Sequence, residues 1–156
     1  KVTLNCAFEQ VIAQCADAPF RDDGTWILPK MQAAYCHLHK LGYAHSIEVW
    51  QEHQANASAP ALVGGLYGVA INGFFSGESM FYNQPNASKF ALVALASLLS
   101  SIKADFIDCQ ILNPFLADMG AIEISREDFI KCKQTAIHKE VVNNFWQARA
   151  LSLEPK

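Results

Sequence analysis

No stretch of this chain reaches the ~20 consecutive apolar residues that a membrane-spanning helix needs, although half of its 156 residues are hydrophobic (51%). No signal-peptide pattern opens it. It begins at Lys1 rather than Met, as a trimmed or partial chain does. Charge is scarce: 12 Lys and Arg against 15 Asp and Glu leave a net −3, which argues against a broad grip on nucleic-acid backbone, because that needs clustered cations. The densest basic stretch, Lys131, Lys133, His138 and Lys139, reads as a solvated helix face. The five cysteines (Cys6, Cys15, Cys36, Cys109, Cys132) contain no C-x-x-C pair. An odd count within apolar patterns indicates reduced cytosolic thiols. On that reading the N-x-S sequons at Asn56 and Asn86 are chance matches. No repeat or low-complexity segment stands out. The length suits one domain with a proper core.

What is present is most concentrated in LVGGLYGVAINGFFSGESMF, residues 62–81. Two apolar stretches flank Asn72-Gly73, the strongest short hairpin signal. Glycines at 64, 65 and 68 interrupt the first stretch. Glycine weakens a strand interior, so another backbone or a ligand is expected to come close there. The second stretch carries one acid, Glu78.

Around this hairpin the pattern predicts an α+β domain with a mixed sheet flanked by helices. Residues 2–5 form a short strand. Phe8, Val11, Ile12 and Cys15 mark a helix face. Residues 17–25 are a polar loop. Pro29 suits the first turn of a helix that ends at Gly42. Residues 45–50 alternate as a half-buried strand, and residues 51–60 form a polar loop. Asn86 is placed to cap a helix whose stripe is Leu92, Leu95, Leu99 and Ile102. A strand at 105–110 would complete a right-handed parallel crossover. Ser125 and Asp128 have capping-box spacing for a last helix near 126–138.

The sharpest candidate chemistry is Asp108 with Gln110. Two residues apart on a strand, they share a face, while Ile107 and Cys109 fill the other. Such a pair is either a structural hydrogen-bond pair at a strand end or a site. Glu78 is either a rim acid or a site acid; alternation puts it on one face with Ser76 and Met80. The histidines (37, 39, 45, 53 and 138) lack the spacing that builds a helical metal site, and no G-x-S-x-G elbow or Cys–base pair supports a triad. Trp26 is either a core anchor or a stacking platform for a base.

The segments GTWI (24–27), AYCHLHKLGYAHSIEVW (34–50), LVGGLYGVA (62–70), GESMF (77–81), NASK (86–89), DCQ (108–110), MGAIEISR (119–126) and NNFW (143–146) run in order along the chain. In them it resembles the catalytic domain of the leucyl/phenylalanyl-tRNA–protein transferase family. The resemblance implies an acetyltransferase-like fold and a cytoplasmic enzyme of the N-degron pathway. Such an enzyme moves Leu, Phe or Met from its tRNA onto a protein that starts with Arg or Lys, with no metal or organic cofactor and no membrane partner. It implies that residues 1–156 are one catalytic domain, without the N-terminal domain usual in the family. It implies that Asp108, Gln110 and Glu78 handle the reacting amine, and that Leu66, Phe75, Met80, Leu92, Leu95 and Ile107 line the donor pocket. Ser88 also joins the substrate-binding set, and Trp26 stacks on the terminal adenosine of the tRNA. The chain departs from the family pattern at Phe115, where a histidine is usual, and at Asp118, where a serine is usual; Tyr82 and Ser125 also differ. Two rivals are a degenerate relative that binds aminoacyl-tRNA or acceptor peptide without transfer, and an acyl-CoA-dependent acetyltransferase. The second lacks its pyrophosphate loop: Arg21 to Trp26 comes closest and ends in Trp.

Overall fold

The computed structural model describes residues 1–18, 24–52 and 60–152. The predicted loops at 17–25 and 51–60 lie largely outside them, as do His53, the Asn56 sequon and Arg21 to Asp23. In chain order the elements are β1 (Val2–Leu4), α1 (Phe8–Ala16), α2 (Pro29–Lys40), β2 (Ala44–Gln51), β3 (Ala61–Ile71), β4 (Phe74–Tyr82), α3 (Ala87–Ser100), α4 (Pro114–Asp118), α5 (Arg126–Ile137) and β5 (Arg149–Leu151). The strands form one five-stranded sheet in the order β4-β3-β2-β1-β5, and every pairing is antiparallel. The architecture is therefore α+β, with helices against an antiparallel sheet.

The expected mixed sheet reduces to a single contact. Residues 105–110 do not form a strand; they touch β4 through one isolated parallel bridge, Ser76 with Asp108. Extended pairing stops there because Gln110 takes a left-handed backbone, φ 65°. Two further elements were not anticipated. The five-residue α4 is shorter than the windows in which helical periodicity can be recognised. Strand β5 pairs with β1 from the opposite end of the chain.

Apolar clusters cover both faces of the sheet. On one, Ile47, Val49, Leu66, Ala70 and Phe75 pack with Ala91, Leu95 and Leu99 of α3. On the other, Tyr67 and Phe81 pack with Phe8, Val11, Ile12 and Cys15 of α1. Two glycines of β3 serve this packing. A Cβ at Gly64 would lie 2.5 Å from that of Ala87, and one at Gly68 would lie 2.6 Å from the Phe75 ring. Other backbones do come close, that of Ala87 in α3 at Gly64 and the Ser76 carbonyl of β4 at Gly68. The Asn72-Gly73 hairpin is present, with Asn72 at φ 53°. Ser125 caps α5: its Oγ accepts from the Asp128 amide at 3.1 Å. Asn86 stands at the start of α3 but its side chain makes no cap hydrogen bond.

Strand β2 is buried on both faces rather than one. Glu48 is 0% exposed. Its carboxylate accepts from the Thr3 hydroxyl, from Ser46 Oγ at 2.5 Å and from the Cys6 amide at 3.2 Å. Those three donors offset the cost of taking a carboxylate out of water. Buried His45 stacks on Trp146, with ring centroids 4.1 Å apart. The Ser46 amide donates to Asn5 Oδ1, which turns Asn5 Nδ2 toward His45 Nδ1 at 2.9 Å and fixes Nδ1 as an acceptor. The ring is therefore neutral, with its proton on Nε2.

Burial, with a contribution from His39 and only partial opposition from the Gly42 backbone, lowers the His45 pKa from 6.5 to about 4. Between those values the unfolded chain binds more protons than the folded one. The stability contribution is complete above pH 6.5 and is lost as pH falls toward 4, on the order of 3 kcal/mol in all. Urea unfolding at pH 7 and pH 4.5 checks this. His45→Phe, which keeps a stacking ring, should lose clearly less stability than the wild type on acidification.

Candidate functional site

Strand β4 carries one residue more than β3 opposite it. Tyr67 pairs with Ser79 and Gly68 pairs with Gly77, so Glu78 has no partner across the ladder. This is a β-bulge, which bends a strand and re-aims the side chains around it. It also changes the faces: Phe75 and Met80, five residues apart, both pack on the α3 side, while Phe81 packs on the α1 side. The expected sharing of a face by Ser76, Glu78 and Met80 does not occur, because the extra residue breaks the alternation.

Beside the bulge lies a cavity of about 260 Å³. All six residues expected to form an apolar pocket line it: Leu66, Phe75, Met80, Leu92, Leu95 and Ile107. Glu78 lines it too. The segment after the bridge supplies more of the wall through Cys109, Ile111, Asn113, Phe115 and Leu116, none of which the sequence reading had placed in the pocket. A signal for part of this segment was present in Asn113-Pro114, a helix cap followed by proline at the first helical position. Asn113 Oδ1 does accept from the Leu116 amide, at 2.8 Å.

Asp108 and Gln110 stand at the rim and are not among the lining residues; Cys109 between them is. They hold their segment to β4. The Asp108 amide donates to the Phe75 carbonyl at 2.9 Å, and the Gly77 amide donates to the Asp108 carbonyl at 2.8 Å. Gln110 Nε2 donates to the Gly77 carbonyl at 2.9 Å. Asp108 Oδ1 accepts from the Gln110 amide at 2.9 Å, and Ser76 Oγ lies 3.4 Å from Oδ2. Gly77 therefore joins both residues to the backbone next to Glu78.

On the other side, Tyr35 of α2 donates its hydroxyl to Glu78 Oε2 at 2.9 Å. Burial and the Glu78 carboxylate push the Tyr35 phenol well above its ordinary pKa, so it stays a donor. Trp26 is 45% exposed and meets the Tyr35 ring edge-on, with centroids 6.5 Å apart. It is not a core anchor. A line of contact thus runs from Trp26 through Tyr35 to Glu78. Ser88 is buried in the first turn of α3, outside the cavity wall.

The arrangement offers an apolar recess, a carboxylate on its wall and a second carboxylate with an amide at its rim. Cys109 is a poor nucleophile, because burial and the neighbouring Asp108 raise its thiol pKa. Among the described residues no group of three or more His, Cys, Asp or Glu could hold a metal ion. No helix among them is long and apolar enough to cross a membrane.

A double-mutant cycle tests the Tyr35–Glu78 contact. Tyr35→Phe should cost about 1 kcal/mol in urea unfolding, and it should cost clearly less in a Glu78→Ala background, which removes the acceptor, with a coupling of at least about 0.5 kcal/mol. Strict additivity would mean that the contact does not form.

A family model described as leucyl/phenylalanyl-tRNA protein transferase matches residues 1–134. A protein of that name from Colwellia psychrerythraea is 62% identical over 153 residues, which cover 98% of this chain and 63% of the relative. The one from Idiomarina loihiensis is 42% identical, over 98% of this chain and 62% of its own length. The one from Salmonella typhimurium is 44% identical, over 100% and 63%. The chain thus spans under two thirds of the length of these relatives.

Proposed function

The chain belongs to the leucyl/phenylalanyl-tRNA protein transferase family, and on that premise we propose that it transfers Leu or Phe, and also Met, from aminoacyl-tRNA to the N-terminal Arg or Lys of acceptor proteins. The product is a destabilising N-terminus, made in the cytoplasm as a step toward degradation. The observation that carries this reading is the apolar cavity with Glu78 on its wall and the Asp108–Gln110 clamp at its rim. Its volume, about 260 Å³, lies below the roughly 300–1,000 Å³ of pockets for drug-sized ligands. That suits one amino-acid side chain rather than a nucleotide-sized group. The antiparallel sheet, with its single parallel bridge at Asp108, is compatible with an acetyltransferase-like fold, and residues 1–156 would form one catalytic domain.

The chemistry asks for little beyond position. The neutral acceptor amine attacks the ester carbonyl, a C–N bond forms, and the bond from that carbon to the ribose oxygen breaks. The amine proton leaves with the departing 3′ oxygen, directly or by way of Asp108. Because the ester is already activated, orientation supplies most of the acceleration, and neither a metal nor an organic cofactor has a part. Asp108 and Gln110 orient the amine. Glu78, held by Tyr35, faces the amine or the cationic side chain of the acceptor. Two carboxylates close together favour a basic N-terminal residue. The pliable wall around Met80 accepts Leu or Phe, and β-branched side chains are excluded by shape. Half-exposed Trp26 is free to stack on the terminal adenine.

The test is transfer of labelled Leu or Phe from charged tRNA to a peptide beginning with Arg, with an Ala-first peptide as control. Absence of transfer by the folded protein overturns the proposal, and binding without transfer would establish the degenerate relative instead. Asp108→Ala should lower kcat/KM about a hundredfold or more. Asp108→Asn retains the acceptor for the Gln110 amide. Its activity should fall comparably if the charge acts and stay near normal if only the turn matters. For Trp26→Ala, KM for aminoacyl-tRNA should rise about tenfold; an unchanged value removes the stacking role.

A further inference from the structure

Two apolar spaces lie back to back beside β4. Behind the cavity runs a groove of about 290 Å³, whose outer wall includes Ala96, Phe106, Met119 and Ala121. Leu92, Ile107, Cys109 and Leu116 line both spaces, so these four side chains are the partition between them. Leu92 belongs to the long helix α3, and Ile107 and Cys109 flank the bridge at Asp108. Leu116 comes from α4, and its backbone is tied at both ends. Its amide donates to Asn113 Oδ1 at 2.8 Å, and its carbonyl accepts from the Ala121 amide at 2.9 Å. Its side chain is 7% exposed. With the backbone pinned in this way, the length of the Leu116 side chain determines how thick the partition is.

We infer that Leu116 sets the depth of the donor pocket and so decides which side chains the enzyme accepts. This rests on the transferase reading. An apolar pocket discriminates by shape, and a single methylene changes the specificity ratio about 10–200-fold. Shortening Leu116 joins cavity and groove without adding a polar group, so the joined space takes a longer apolar side chain, such as a bicyclic aromatic, and not a charged one.

The two spaces have separate reporters. Met80 lines the cavity alone and Met119 the groove alone, while Met31 on α2 serves as a reference. The protein is labelled at the methionine methyls with ¹³C and titrated with the methyl esters of leucine and 2-naphthylalanine. In the wild type, leucine ester should shift Met80 and leave Met119 unmoved. In Leu116→Ala, naphthylalanine ester should shift both, with its affinity raised about tenfold or more. Leu116→Val should show a smaller change in the same direction and serves if the alanine variant does not fold. Met119 staying still in a variant whose Met80 responds overturns the inference, as does the absence of any Met80 response to either ester.

With charged tRNA, the kcat/KM ratio for naphthylalanine over leucine should rise about tenfold or more in Leu116→Ala. An unchanged ratio in an active variant rejects the depth role and leaves the transferase reading standing. A wild type that transfers nothing rejects the transferase reading, and the methyl shifts still decide the partition.

Discussion

The extra residue in β4 is the constraint on which the rest of this site depends. Side chains alternate strictly along a regular strand, so Phe75 and Phe81, six apart, would share a face. The bulge at Glu78 sends them to opposite cores. It brings Met80 round to join Phe75 and Leu66, and those three begin the cavity wall. It also leaves Glu78 outside the ladder, where a carboxylate can reach the Tyr35 hydroxyl and line the cavity together. Removing the extra residue would restore the alternation from that point on. The apolar wall and the acid would then be lost together, because one backbone irregularity makes both.

The bulge is held in a sheet that has little freedom to adjust. Strand β2 is buried on both sides, and its polar residues are tied outward in three directions. Glu48 reaches Thr3 on β1 and the chain entering α1. Asn5 bonds both His45 and the Trp146 carbonyl, which draws the C-terminal part of the chain onto the same strand. Trp146 then lies against Phe75, with centroids 5.8 Å apart. The polar centre of the sheet is thus in contact with the back of the cavity. The buried Nε2 of His45 finds no hydrogen-bond partner, so the hold on this strand comes from the bonds of Glu48 and Asn5 and from the stacked His45 and Trp146 rings.

Much of this was legible in the sequence. The helices α1, α2 and α5 followed from apolar spacing and caps, and the hairpin from Asn72-Gly73. The six apolar pocket residues came from resemblance, not periodicity, and all six line one cavity. What could not be read has a common cause. A bulge carries no composition signal, so strict alternation puts Ser76 and Met80 on one face, whereas the extra residue separates them and Glu78 lines the cavity with Met80. Residues 105–110 have the pattern of a strand, yet a strand needs a partner in register, and only Asp108 finds one. The pairing of β5 with β1 spans nearly the whole chain. The glycines of β3 announced a close approach but not what approaches, and Ala87 and Phe75 already occupy that space.

The segment from Ile107 to Leu116 shows why local patterns understate this site. Strand β4 is the edge of the sheet, and an edge exposes unpaired backbone groups that a protein must cover. This segment covers part of it through the amides of Asp108 and Gly77. The left-handed Gln110 then turns the chain so that Ile111, Asn113, Phe115 and Leu116 close the cavity. Covering the edge and building the wall are one act of folding. The same two residues, Asp108 and Gln110, hold the turn and stand at the rim where a reacting amine would arrive. On the proposed reading this dual position matters, because groups that must already be fixed for the fold would be oriented for chemistry at no further entropic cost.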